Sequence, residues 1–470
     1  MKKKLSFILG FIHLISFSYA QQVDISGDWF GGVDVGVFLR ISFHITKTEN
    51  GLKATMDSPD QKAFGIPVDE VTVLGDSIRL KINRINFSYH GSFNPSQQTI
   101  QGKFSQNLLT KEMNLSRKEL APRVDVKHFQ EPKPPFAYYT EDIGFDNTID
   151  NIRLSGTFTR PKAEGKYPTV VLISGSGPQD RDETISGHKL FLVIADYLTN
   201  QGFAVLRFDD RGFGQSTGSF ANSSLYNFAD DVRSAIEYLK KRSDVNVKQI
   251  GLVGHSEGGY IAPLIASTNK DVAYLVLLAA PGTKGEQVLL EQSALLMRAN
   301  NAPQNRIDLE LETIERCASI IKEADKNQEY ELKKEFDNYF TKLSQLESLG
   351  NLNKDAFIAS RINIWMAPWF VNFLKFDPTP YLIKIKCPVL ALNGTKDLQV
   401  PYQSNLSALK SALDRAGNKR CTFAAMEGLN HLFQTANKGT VDEYQSSAET
   451  FSPKALQLIG DWLKQHINEH

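Results

Sequence analysis

The sequence predicts an α/β domain, a mostly parallel sheet with helices on both faces and a helical insertion, preceded by a small all-β domain. Three observations carry this reading. From Ile143 onward, short apolar runs alternate with helical patterns, as in a sheet buried on both sides. A glycine-rich stretch, Gly254 to Gly259, joins one such run to an apolar helix start. Ahead of these, residues 26–118 alternate apolar and polar with the period of strands that have one dry face.

Taken in order, residues 1–20 read as an export signal: Lys2 to Lys4, a largely apolar Leu5 to Phe17, then Ser18-Tyr19-Ala20 with small residues where a signal peptidase cuts. The mature chain is expected to begin at Gln21 and to be periplasmic or extracellular. The apolar core is shorter than the roughly 20 residues that span a bilayer, so no stable membrane span is expected once the signal is removed. The whole chain carries 53 basic and 53 acidic residues. Loss of three lysines with the signal leaves a near-neutral protein, which argues against a nucleic-acid partner. Three cysteines, Cys317, Cys387 and Cys421, are too few for a disulfide framework. Cys387 and Cys421 each open a predicted strand; a bridge between adjacent parallel strands is strained, so thiols are favoured.

Residues 21–120 form the all-β accessory domain. Val33, Val35, Val37, Leu39, Ile41, Phe43 and Ile45 fall on one face of a strand, and shorter runs follow, separated by Asn50-Gly51, Gly75-Asp76 and Asn94-Pro95 turns. A barrel or a sandwich fits. Trp29 reads as a core residue. Residues 121–139, with Glu131-Pro132-Lys133-Pro134-Pro135, read as a linker, because so many prolines disfavour helix and central strand.

The catalytic domain is assigned to residues 140–282 and 382–470. Ile143 to Phe145 and Arg153 to Thr159 form an antiparallel lead-in. Thr169 to Ile173, Ala204 to Phe208, Ile250 to Val253, Tyr274 to Ala280, Val389 to Leu392 and Thr422 to Met426 are the parallel strands. Phe228, Val232, Ala235, Ile236 and Leu239 share one helical stripe. Residues 283–381, helical in pattern, read as a cap over the carboxyl edge of the sheet, where open α/β sheets place their sites.

Gly-His-Ser-Glu-Gly-Gly reads as a nucleophile elbow, with Ser256 exposed at a strained bend. A serine hydroxyl needs a base to take its proton and a third group to orient that base. Asp397, after the strand ending at Leu392, and His431, after the strand ending at Met426, supply both types in the order Ser, Asp, His. For the oxyanion hole the expected donors are the backbone N–H of Glu257 and of Ser176 in Ser174-Gly175-Ser176-Gly177-Pro178, with Gly177 the next choice. Arg181 reads as either an ion-pair partner or a substrate contact. Trp365, Trp369 and Phe370, in an aromatic run of the cap, either wall an acyl pocket or pack cap on core. His255, inside the elbow, reads as a packing residue.

The elbow, Asp397, His431 and Asp209-Asp210-Arg211-Gly212-Phe213-Gly214-Gln215-Ser216 together resemble the α/β-hydrolase superfamily, over about residues 140–470. Within it, Ser174 to Asp182 is similar to the oxyanion loop of exported bacterial carboxylesterases that carry a small β accessory domain. Asp57 to Gln61 and Phe64 to Val68 are the residues of the accessory domain that share in the resemblance. The resemblance implies a metal-free, cofactor-free serine esterase acting on small acyl esters. The alternatives are a peptidase of the prolyl-oligopeptidase type, for which residues 21–120 are too short to form the usual propeller, and a glycan- or lipid-binding protein with an inactive hydrolase fold. Oligomeric state is left open.

Overall fold

The computed structural model describes residues 23–35, 38–49, 51–61, 63–106, 109–121, 128–323, 327–349 and 352–467. The expected signal, residues 1–20, lies outside them, as do Val37 and Asn50. The chain divides into two compact units, residues 1–122 and 123–470. Among the described residues no helix is long and apolar enough to cross a membrane.

The first unit is one antiparallel sheet of ten strands: β1 (Gly27–Asp34), β2 (Phe38–Thr48), β3 (Gly51–Ser58), β4 (Ala63–Val68), β5 (Glu70–Leu74), β6 (Ser77–Ile82), β7 (Phe87–Asn94), β8 (Thr99–Gln106), β9 (Leu109–Glu112) and β10 (Leu115–Ser116). They run in the order β4-β3-β2-β1-β10-β8-β7-β6-β5, with β9 on β8. Inward residues of both halves, among them Trp29, Phe43, Ile78, Tyr89 and Phe104, share one core, so the sheet is barrel-like. Trp29 is fully buried; its Nε1–H donates to Ile25 O at 2.7 Å, and Arg117 lies over its ring. A buried indole needs such a partner for its N–H.

The second unit is built on an eight-stranded sheet, with β11 (Tyr139–Asn147), β12 (Ile152–Arg160), β13 (Tyr167–Ile173), a short hairpin β14 (Thr184–Ile185) and β15 (His188–Lys189) beside it, β16 (Ala204–Phe208), β17 (Val245–His255), β18 (Val272–Leu278), β19 (Val389–Gly394) and β20 (Cys421–Met426). The order is β11-β12-β16-β13-β17-β18-β19-β20. β12 pairs antiparallel with both its neighbours, β11 and β16, and the remaining pairs are parallel. On one face lie α2 (Leu225–Lys240), α3 (Gly258–Ala266) and α10 (Tyr402–Arg415); on the other, α1 (Leu190–Asn200) and α12 (Pro453–Ile467), each over its own apolar core. This is the α/β-hydrolase architecture. Between β18 and β19 the insertion folds as α4 (Gly285–Ala299), α5 (Gln304–Glu323), α6 (Gln328–Leu346), α7 (Lys354–Trp365), α8 (Pro368–Lys375) and α9 (Thr379–Leu382); α11 (Val441–Tyr444) follows β20.

The three cysteines are free thiols, and burial pushes the Cys317 and Cys387 thiols up to about 12. In the segment read as a linker, residues from His128 onward are fastened to the second unit. Gln130 Oε1 accepts the Thr450 and Phe451 N–H groups, its Nε2 donates to Phe451 O, and the His128 and His188 rings stack at 4.0 Å. Prolines forbid a helix there but leave side chains free to dock.

Candidate active site

The strand β17 ends at His255 and α3 begins at Gly258, so two residues make the whole bend. Ser256 sits at φ 52, a left-handed conformation a serine adopts only under constraint. The glycines around it answer to crowding. A Cβ on Gly254 would lie 2.2 Å from Gly258 O, and one on Gly258 would lie 2.3 Å from Ile173 O.

Asp397 stands just beyond β19, and His431 lies in the loop after β20. His431 Nε2 is 3.1 Å from Ser256 Oγ, and its Nδ1 is 2.8 Å from Asp397 Oδ2. The other Asp397 oxygen accepts the N–H groups of Gln399 and Val400 at 2.8 and 2.9 Å, which fixes the carboxylate. Asp397 and His431 are each 4% exposed. With Nδ1–H given to the carboxylate, Nε2 is the free acceptor for the serine proton. The His431 loop is pinned by Asn430, whose Oδ1 accepts the N–H groups of Leu432 and Gln434.

The expected oxyanion loop passes directly over the serine: a Cβ on Gly175 would come within 3.1 Å of Ser256 Cβ. Asp210 clamps the loop at both ends, accepting from Ser174 Oγ at 2.8 Å and from Gln179 N–H at 2.9 Å. Gly177 is at φ 89, a turn that a side chain would strain. Among the described residues, the N–H groups of Ser176, Gly177 and Glu257 have no hydrogen-bond partner within the protein. The Gly175 N–H, by contrast, donates to Glu183 Oε1 at 2.7 Å.

Arg181 is engaged as an ion-pair partner. Its guanidinium is committed to both oxygens of Asp209, at 3.0 and 2.8 Å, and to Thr157, Ser155 and Asp142, so it ties the loop to the sheet edge. The Asp209 to Ser216 turn is likewise a brace: the Ser216 hydroxyl donates to Asp209 O and accepts the Ser155 N–H. Trp365 is 3% exposed and meets Phe336 and Phe370 edge-on, which places it in the cap's own core. Trp369 and Phe370 continue through Phe373 to Tyr260 of α3. Of the two readings of this aromatic run, its contacts match cap packing on core.

Sequence reasoning missed one buried acid, Glu183, and the burial of another, the Glu257 carboxyl. Glu183 is fully buried and holds Gly175 N–H and His255. Glu257, 4% exposed, has an Oε1 without a partner, and burial pushes its carboxyl up to about 7. It lines a small cavity with Ser174, Gly175, Asp210 and Asp231 that leaves ≈ 20 Å³ for a water's centre. One water needs roughly 10–15 Å³ of such space. The only local signal for Glu183 is its place in the acidic run that begins at Asp180.

Several known proteins are similar to this chain. Esterase EstD of Thermotoga maritima is 26% identical over 364 residues, 77% of this chain and 74% of that protein. The uncharacterized protein YfhR of Escherichia coli K12 is 32% identical over 148 residues, 30% of this chain and 48% of that protein. Among solved structures, the Pyrococcus furiosus esterase Pf2001 aligns at a TM-score of 0.41 and 17% identity, covering 70% of this chain and 91% of that one. The family model described as serine aminopeptidase, S33, matches residues 188–435, over half of the chain and a span that takes in Ser256, Asp397 and His431. The chain belongs to this family of α/β-hydrolases.

Proposed function

We propose that this protein is an exported serine carboxylesterase that hydrolyses small acyl esters through an acyl-enzyme on Ser256. The observation that carries the reading is the continuous hydrogen-bonded chain from Ser256 Oγ through the His431 ring to Asp397. Ser256 Oγ attacks the ester carbonyl carbon as its proton passes to His431 Nε2. Asp397 stabilises the imidazolium and holds the ring in place. The oxyanion forms between the N–H groups of Glu257 and Ser176, each such donor being worth roughly 3–4 kcal/mol in the transition state. Collapse expels the alcohol, which takes the proton from His431. Water then attacks the acyl carbon with His431 again as base, and Ser256 is restored.

Support for an ester over a peptide comes from EstD, an esterase aligned across most of both chains. The family description names an aminopeptidase, and this keeps peptide bonds as the second reading. On the ester reading, Ser256→Ala abolishes hydrolysis of short-chain aryl esters with an unchanged thermal transition, and the wild type turns over aryl esters far faster than aminoacyl arylamides. Retained ester turnover in Ser256→Ala overturns the mechanism, and a preference for arylamides overturns the substrate class. Export rests on the amino-terminal pattern; an exported chain whose first residue is Gln21 supports it, and one that keeps residues 1–20 contradicts it.

A further inference from the structure

Directly behind the reacting groups stands a second buried acid and histidine that the proposed mechanism does not use. Glu183 is fully buried, and its backbone is held at φ 47. Its Oε1 accepts the Gly175 N–H at 2.7 Å and lies 2.9 Å from His255 Nδ1. His255, 1% exposed, immediately precedes Ser256 and turns its Nε2 to the backbone oxygen of His431 at 3.0 Å. The chain of contacts therefore runs from the oxyanion loop, through Glu183 and His255, to the main chain of the residue assigned as the base.

Protonation follows from the partners. A carbonyl oxygen only accepts, so His255 Nε2 carries a hydrogen. Glu183 Oε1 already accepts the Gly175 N–H, and an oxygen that accepts there pairs with His255 when Nδ1 donates as well. The ring is then an imidazolium paired with Glu183. The charged groups around it are Glu183 from the loop before β14 and Asp397 from the loop after β19; the His431 ring, 5.0 Å away centre to centre, follows β20. Burial works against the charge on His255, but the Glu183 charge, its hydrogen bond and the His431 carbonyl together hold the ring's pKa above the ordinary histidine value. Stability alone does not account for such a pair, because well-packed apolar residues often serve as well or better than a buried ion pair. Nor does it account for the strained Glu183 backbone.

We propose that Glu183 and His255 are a positioning pair, one buried ion pair that sets the oxyanion loop and the His431 backbone in a single register around Ser256. The inference rests on the Ser256 reading for its catalytic consequence and on geometry alone for the ion pair. Glu183→Gln is the informative change. An amide oxygen facing Gly175 N–H cannot also donate to a neutral His255, so one of the two contacts is lost while side-chain volume is kept. A displacement of about 1 Å can cost on the order of a hundredfold in rate, and the expected loss is ten- to a hundredfold in kcat with KM for a short ester little changed. The alkaline limb of the pH profile should move to lower pH, since His255 loses its counter-charge.

The experiment compares wild type, Glu183→Gln, His255→Gln and Ser256→Ala, each normalised to its folded fraction by thermal melting, with ¹⁵N-histidine NMR on all four. His255→Gln assigns the His255 signals. Wild type and Ser256→Ala should both show His255 protonated on both ring nitrogens at pH 8, and Glu183→Gln should not. A His255 that titrates as an ordinary histidine overturns the ion pair. A Glu183→Gln protein with altered stability but wild-type kcat and pH profile overturns the positioning role. Failure of the Ser256 reading appears separately, as ester turnover in Ser256→Ala, and leaves the NMR result to decide the pair.

Discussion

Glu257, beside Ser256, presents two different groups to its surroundings. Its main-chain N–H is free to meet an oxyanion, while its carboxyl is buried with one oxygen unpartnered. Burial raises this carboxyl from its ordinary 4.5 to about 7. Between those values the folded protein holds a proton that the unfolded chain has released. This group's contribution to stability is therefore full below about pH 4.5 and falls, by an amount on the order of 3 kcal/mol, as pH rises to 7. Glu257→Gln removes the titration, so its melting temperature relative to wild type should climb from pH 4.5 to pH 7 and then level off. A difference that is flat across that range contradicts the assignment. The residues of the proposed triad stand out in the sequence for a local reason: Ser256, Asp397 and His431 each follow an apolar run that becomes a strand of the parallel sheet. Arg181 was only half legible, because the acid that claims it, Asp209, is 28 residues away. Glu183 and His255 are 72 residues apart and leave no local trace of their pairing.

The elements differ in how much of their packing a sequence carries. Periodicity located every strand of the second unit's main sheet, since burial on both faces leaves short unbroken apolar runs. The elbow was legible because its glycines are demanded by backbone crowding rather than by side-chain contacts. The aromatic run of the cap was not, since apolar rings fill a core and wall a pocket with the same chemistry. Trp365 packs against Phe336 and Phe370 within the cap. The loop expected to form the oxyanion hole depends on neighbours from elsewhere in the chain: Asp210 grips its ends, and Glu183 holds Gly175.

For the molecule as a whole, a barrel-like first unit precedes a hydrolase unit whose described segment from His128 on belongs with the sheet rather than with a free tether. The sequence signalled the first unit through its alternation but left barrel and sandwich open, because both bury one face of each strand; the single continuous sheet decides it. The central claim is that the hydrolase unit holds an assembled serine nucleophile. The measurement that tests it most directly is reaction of the purified protein with a fluorophosphonate probe, followed by peptide mass spectrometry. The account predicts an adduct on Ser256 that is lost in His431→Ala. A folded protein that takes up no label, or that is labelled equally well without His431, contradicts it.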